Sequence, residues 1–103
     1  MKNALYSQIA KAVLLQMQAC ADGTETTTFD LMESLYGKAD LHEDGYRFTS
    51  FQIDLLALID LDNRIRLMAR RRDIVLDDSA TADAVVGYPF HCPYTIYHNQ
   101  EAK

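Results

Sequence analysis

The chain has 103 residues, 49% of them hydrophobic and 24% charged, with a formal net charge of −5. That size and balance describe one globular domain with a core of its own, and they exclude both a two-domain chain and an intrinsically disordered one. The negative charge excludes a generally basic nucleic-acid coat, so any contact with nucleic acid would have to come from a local patch.

The first predicted element is a helix from about residue 3 to 21, with Leu5, Ile9, Ala12, Val13, Met17 and Cys20 on one stripe. Ser7, Gln8, Lys11, Gln16 and Gln18 interrupt its apolar run. They leave neither the unbroken core of a secretory signal nor a membrane span, so no targeting segment is expected. Asp22 and Gly23 close the helix. The polar run TETTT follows, in which Thr27 with Asp30, or Thr28 alone, is placed to cap a second helix. That helix, FDLMESLY, gathers Phe29, Leu31, Met32, Leu35 and Tyr36, and Gly37 ends it.

A polar loop, KADLHEDGYRF, is expected next, with a turn at Asp44-Gly45. Thr49 and Gln52 match a capping box, which predicts a third helix from about Ser50 to Asp62. Its apolar residues, Phe51, Ile53, Leu55, Leu56, Leu58, Ile59 and Leu61, surround most of its girth, as in a helix central to the core or shared with a partner. From Arg64 two patterns compete. Ile65, Leu67 and Ala69 alternate with Arg64, Arg66 and Met68, which favours a strand after a stop at Asp62-Asn63; a helix continuing through residues 64–72 is the alternative. DIVL supplies another β-prone run, residues 77–83 a polar loop, and Val85-Val86 an extended pair. Pro89 and Pro93 break regular structure, and YTIYH alternates as a final strand. The tail at about residues 99–103 has nothing to pack and is expected to be disordered.

The expected class is therefore α+β, three helices followed by a small antiparallel sheet, in a single domain over residues 1–103. In element order the stretch TTTFDLMESLYG, then a loop and LLALIDL, resembles a winged helix-turn-helix domain over about Leu5 to His98. The resemblance implies that residues 50–62 are the recognition helix and residues 64–98 the wing. The loop between the second and third helices is longer than the usual 3–4-residue turn.

Five of the ten Lys and Arg residues lie between Arg64 and Asp73. Arg70, Arg71 and Arg72, with Arg66, are the candidate phosphate contacts. The competing reading makes them counter-charges for nearby acids, for example Asp73, Asp77, Asp78 and the carboxylates of the third helix. A recognition helix reads bases with Arg, Lys, Asn or Gln, and residues 50–62 offer only Gln52 beside Asp54, Asp60 and Asp62. Contact with duplex DNA would then rest on the arginine cluster alone.

His91, Cys92 and His98, with His42 elsewhere, lack the paired short spacings that zinc requires, and neither metal nor cofactor is expected. No phosphate-binding glycine loop or nucleophile elbow occurs, and the carboxylates are scattered rather than paired. Two cysteines without a framework indicate reduced thiols in a cytoplasmic protein. The aromatic C-terminal stretch and the apolar third helix point to a contact surface, with Phe51, Ile53, Leu56, Tyr94 and Tyr97 as candidate interface residues. The functional expectation is a non-enzymatic, winged-helix-like accessory protein that binds a protein partner or forms a homodimer. The alternative is a nucleic-acid-binding regulator using Arg70 to Arg72.

Overall fold

The computed structural model describes residues 2–78 and 88–98. Its class is α+β, with three helices and two small antiparallel sheets. Helix α1 (Lys2–Ala19) buries Ile9, Ala10, Val13, Leu14 and Met17 completely or nearly so. The chain then turns through Gly23, whose positive φ suits glycine and whose N–H donates to the Ile96 carbonyl at 2.8 Å. Strand β1 (Thr24–Thr26) occupies part of the polar run and pairs with residues 94–96.

Helix α2 (Thr28–Tyr36) starts as expected. The Thr27 hydroxyl accepts the Asp30 N–H at 2.9 Å, satisfying one of the free donors of the first turn. Gly37 ends it with φ 92°, and its N–H returns to the Glu33 carbonyl at 2.8 Å.

The expected polar loop is instead a three-stranded meander of β2 (Asp40–His42), β3 (Gly45–Arg47) and β4 (Gln52–Asp54). The turn falls at Glu43-Asp44, between the paired residues His42 and Gly45, one residue before the expected Asp44-Gly45, because Gly45 already pairs in β3. Gly45 is obligatory there, because a Cβ would collide with the Ile53 carbonyl and the Asp54 backbone. Thr49 and Gln52 do not form a capping box: Gln52 is already in β4, where Ile53 points inward between two exposed neighbours. The cap of the third helix is Asp54, whose carboxylate accepts the Ala57 N–H at 2.8 Å.

Helix α3 therefore runs from Leu55 to Arg71, and residues 64–71 are helix rather than strand. Asp62 and Asn63 do not stop it. Leu58, Leu61, Ile65 and Ala69 keep the helical spacing and are all buried, so one apolar stripe crosses the supposed break. Arg70 and Arg71 occupy its last turn, where the helix dipole favours cations. Arg72 caps the helix, and Asp73 takes a left-handed conformation (φ 61°) before β5 (Ile74–Asp78). Asp77 and Asp78 belong to that strand rather than to a loop. The expected remainder of that loop, the extended Val85-Val86 and the disordered tail lie outside the described residues.

A 3-10 turn (Pro89–His91) places Phe90 in the core and leads to β6 (Tyr94–His98). That last strand alternates as the sequence predicts, with Tyr94 and Ile96 buried. The first sheet has the order β1-β6-β5 and the second the order β2-β3-β4. An aromatic cluster ties the second sheet to α2 and the 3-10 turn: the Phe29 ring of α2 sits 4.7 Å from that of Tyr46, 5.6 Å from Phe48 and 4.6 Å from His91, centroid to centroid. α1 packs against both α2 and α3, so α3 shows one face to α1 and the sheet and another to solvent.

Candidate functional site: the two faces of the third helix

The inner side of α3 carries the only buried carboxylate among the described residues. Asp62 is 1% exposed and Thr28, at the start of α2, is 0% exposed. The Thr28 hydroxyl donates to Asp62 Oδ1. Its single proton is then used, so the Tyr94 hydroxyl, 2.8 Å away, is the donor to Thr28 Oγ1. Arg66, one turn beyond Asp62, donates from Nε to Asp62 Oδ2 at 2.9 Å. Its terminal nitrogens reach Asp78 Oδ1 and the Pro89 carbonyl, each at 3.3 Å, and its guanidinium carbon lies 4.9 Å from the Tyr94 ring centroid.

This chain of bonds links α2, α3, β5, β6 and the 3-10 turn. Burial by itself lowers the pKa of the Arg66 guanidinium, but the charge and hydrogen bond of Asp62 outweigh it, with smaller help from Tyr94 and Asp78. The net shift is upward. Burial pushes the Tyr94 phenol well above its ordinary range, which keeps it a neutral donor. A hydroxyl beside a carboxylate is also how a nucleophile is activated, yet Thr28 has no exposed surface and Asp62, 1% exposed, has both oxygens already bonded. The network holds the fold.

A cleft of about 610 Å³ lies beside this network, between α3 and the Pro89–Pro93 segment. Leu56, Ile59, Pro89 and Pro93 supply its apolar lining, and Asp60, Asn63, Arg66, Asp78 and Cys92 its polar lining, with Asp62 at its floor. Among the described residues, no three His, Cys, Asp or Glu side chains converge as metal ligands. His91 instead packs tilted against the Phe29 ring and its Nε2 lies 3.2 Å from the Tyr46 hydroxyl. His98 sits 2.8 Å from the Cys20 carbonyl. Both cysteines are free.

The outer side of α3 differs in every respect. Leu56 is 80% exposed and Leu67 46% exposed. Asp60, Asn63, Arg70 and Arg71 are exposed, and Ile59 and Arg64 are half-buried. Among the described residues, Asp60, Arg64, Arg70, Arg71 and Arg72 make no ion pair.

The candidate residues read from sequence are thus dispersed. Arg70, Arg71 and Arg72 lie together at the C-terminal end of α3, whereas Arg66 is committed to Asp62 and Asp78. The counter-charge reading describes Arg66, and no described acid pairs with the other three. Because α3 extends to Arg71, the arginines sit on the third helix itself and not on a strand after it. Of the candidate interface residues, Ile53 (2% exposed) and Tyr94 (0%) belong to the core, since each points inward from its strand. Phe51 is half-buried between Tyr36 and Phe48. Leu56 and Tyr97 remain at the surface. From the sequence, Thr28 is only a candidate cap, Asp62 only a stop, and Asp60 and Arg64 only surface charge; the available signal for pairing them was the i, i+4 spacing of Asp and Arg. No helix among the described residues is long and apolar enough to cross a membrane. No protein-family model, curated protein or solved structure matches the chain.

Proposed function

We propose that this protein is a small, non-enzymatic, winged-helix-like accessory protein of the cytoplasm, which works by protein contact through the outer face of α3. The observation that carries the reading is Leu56, 80% exposed on the same helix face as the exposed Leu67. The opposite face of that helix is packed without remainder, so the exposed leucines stand on a rigid support. The winged-helix element rests on order: three helices in sequence, then the antiparallel pair β5–β6 after α3. In that layout α3 takes the recognition-helix position, and the meander β2–β4 fills the long connection before it. The absence of catalysis is inferred from the burial of the Thr28–Asp62 pair, and the compartment from the two free thiols.

Photo-crosslinking in producing cells tests the contact. A photoreactive residue at position 63, on the outer face of α3, is compared with one at position 18, exposed on α1. Protein adducts from position 63 and not from position 18 are expected. Equal yields from both positions, or none from position 63, would overturn the reading.

A second reading has one specific support. Arg64, Arg70 and Arg71 stand on α3, next to Arg72, with no ion-pair partner among the described residues. Such a set suits phosphate contact. Binding to mixed-sequence duplex DNA at ~50 mM salt, lost in the triple Ala variant of Arg70, Arg71 and Arg72, would favour this reading over the first.

A further inference from the structure

We infer that the partner of the α3 outer face is a second copy of this chain, docked with its α3 antiparallel. The inference rests on the contact reading above and names its occupant. Consider a two-fold axis crossing the outer face of α3 at the level between Leu61 and Asp62. Residues equally distant from that level then face each other, because both helices rise by the same ~1.5 Å per residue. Leu56 meets Leu67 of the partner subunit, Ile59 meets the stem of Arg64 of the partner subunit, and Asp60 meets Asn63 of the partner subunit. These six positions all lie on the same side of α3. The exposed face is self-complementary under this one operation, as a two-fold interface must be.

Charge selects the same orientation. The outer face is divided along its length, with Asp60 toward the N-terminal end and Arg64, Arg70 and Arg71 toward the C-terminal end. Antiparallel docking brings Asp60 beside Arg64 of the partner subunit, one residue from its direct opposite. It also carries Arg70 and Arg71 past the start of the other helix. There Glu43, Asp44 and Asp54 surround a shallow hollow with Leu55 and Leu56. Parallel docking would set Asp60 against Asp60 and the arginines against each other. The arrangement accounts for Arg64, Arg70 and Arg71, the part of the basic stretch left over once Arg66 is paired within the chain: each copy supplies the cations that the other copy's acidic corner lacks.

Sedimentation equilibrium at low and high salt, with two charge-reversal variants, tests this. The wild-type chain is expected to dimerise in the micromolar range, since a face of this length is at the small end of specific interfaces, and to weaken at ~0.5 M salt. Asp60→Arg and Arg64→Asp should each weaken the dimer by about tenfold or more, and the double variant should recover to within about threefold. Leu56→Asp should leave a monomer whose unfolding midpoint equals that of the wild-type chain measured at concentrations too low for the dimer. A wild-type chain that is monomeric at ~1 mM in low salt, well above the concentration expected for such an interface, would overturn the inference. So would a dimer indifferent to all of these substitutions. Position-63 adducts with other proteins, found alongside a monomer, would overturn the second copy while leaving the contact reading intact.

Discussion

Asp62 and Arg66 stand on α3 at the same spacing as Asp60 and Arg64, only two residues away. The inner pair is joined at 2.9 Å, with its carboxylate 1% exposed and completed by Thr28. The outer pair is not joined within the chain, and both of its members face outward. Two residues of helix rotate a side chain by about 200°, which here separates a structural ion pair from free surface charge. Composition and spacing alone do not assign a role to such a pair; the face on which it falls does.

Substitutions on the inner side should therefore be costly and those on the outer side nearly silent. Asp62→Ala leaves the Arg66 guanidinium with only Asp78 and the Pro89 carbonyl and orphans the buried Thr28 hydroxyl, and should lower the unfolding free energy by about 3 kcal/mol in urea titration. Thr28→Val keeps the shape but removes the link between Asp62 and Tyr94. It should cost about 1–3 kcal/mol by the same measurement. The comparison sharpens further at high pH. The raised Tyr94 pKa means that the folded chain holds the phenolic proton more tightly than the unfolded one does. Its contribution is then complete below the ordinary tyrosine value of 10.0 and is lost as pH rises through the higher folded value. The urea midpoint should fall above about pH 10, and less steeply in Tyr94→Phe than in the parent chain. Asp60→Ala, at the other extreme, should change stability by no more than about 0.5 kcal/mol. A cost comparable with that of Asp62→Ala would break the distinction between the two faces.

Much of the frame is legible in the sequence because local chemistry decides it. The stripe Ile9, Val13, Met17 needs nothing beyond helical periodicity, Thr27 and Gly37 mark the ends of α2, and the alternation in YTIYH is that of β6. The element class α+β follows from these. The meander is less legible, since strands of three residues are too short to show a period of two. Thr49 and Gln52 imitate a capping box, while the working cap, Asp54, needed only to precede the apolar run. The largest misreading, a stop at Asp62-Asn63, has a tertiary cause. A carboxylate normally turned to solvent or to a helix end is here absorbed by a threonine 34 residues earlier and an arginine one turn later. The i, i+4 spacing of the arginine was visible; the threonine was not. The outer face was half legible. Leu56 was singled out as a contact residue, but Leu67, Asp60 and Arg64 join it only once residues 55–71 are one continuous helix.

The division of α3 into a committed and a free face can be read without any substitution. Each arginine side chain carries one Nε–H, and its exchange with solvent reports whether that group is held. Nuclear magnetic resonance of the intact chain at low concentration should show Arg66 with a slowly exchanging Nε–H, fixed by Asp62, while those of Arg70 and Arg71 exchange rapidly. Exchange at Arg66 as fast as at Arg70 would contradict the account, because the inner pair would then be no more structural than the outer one.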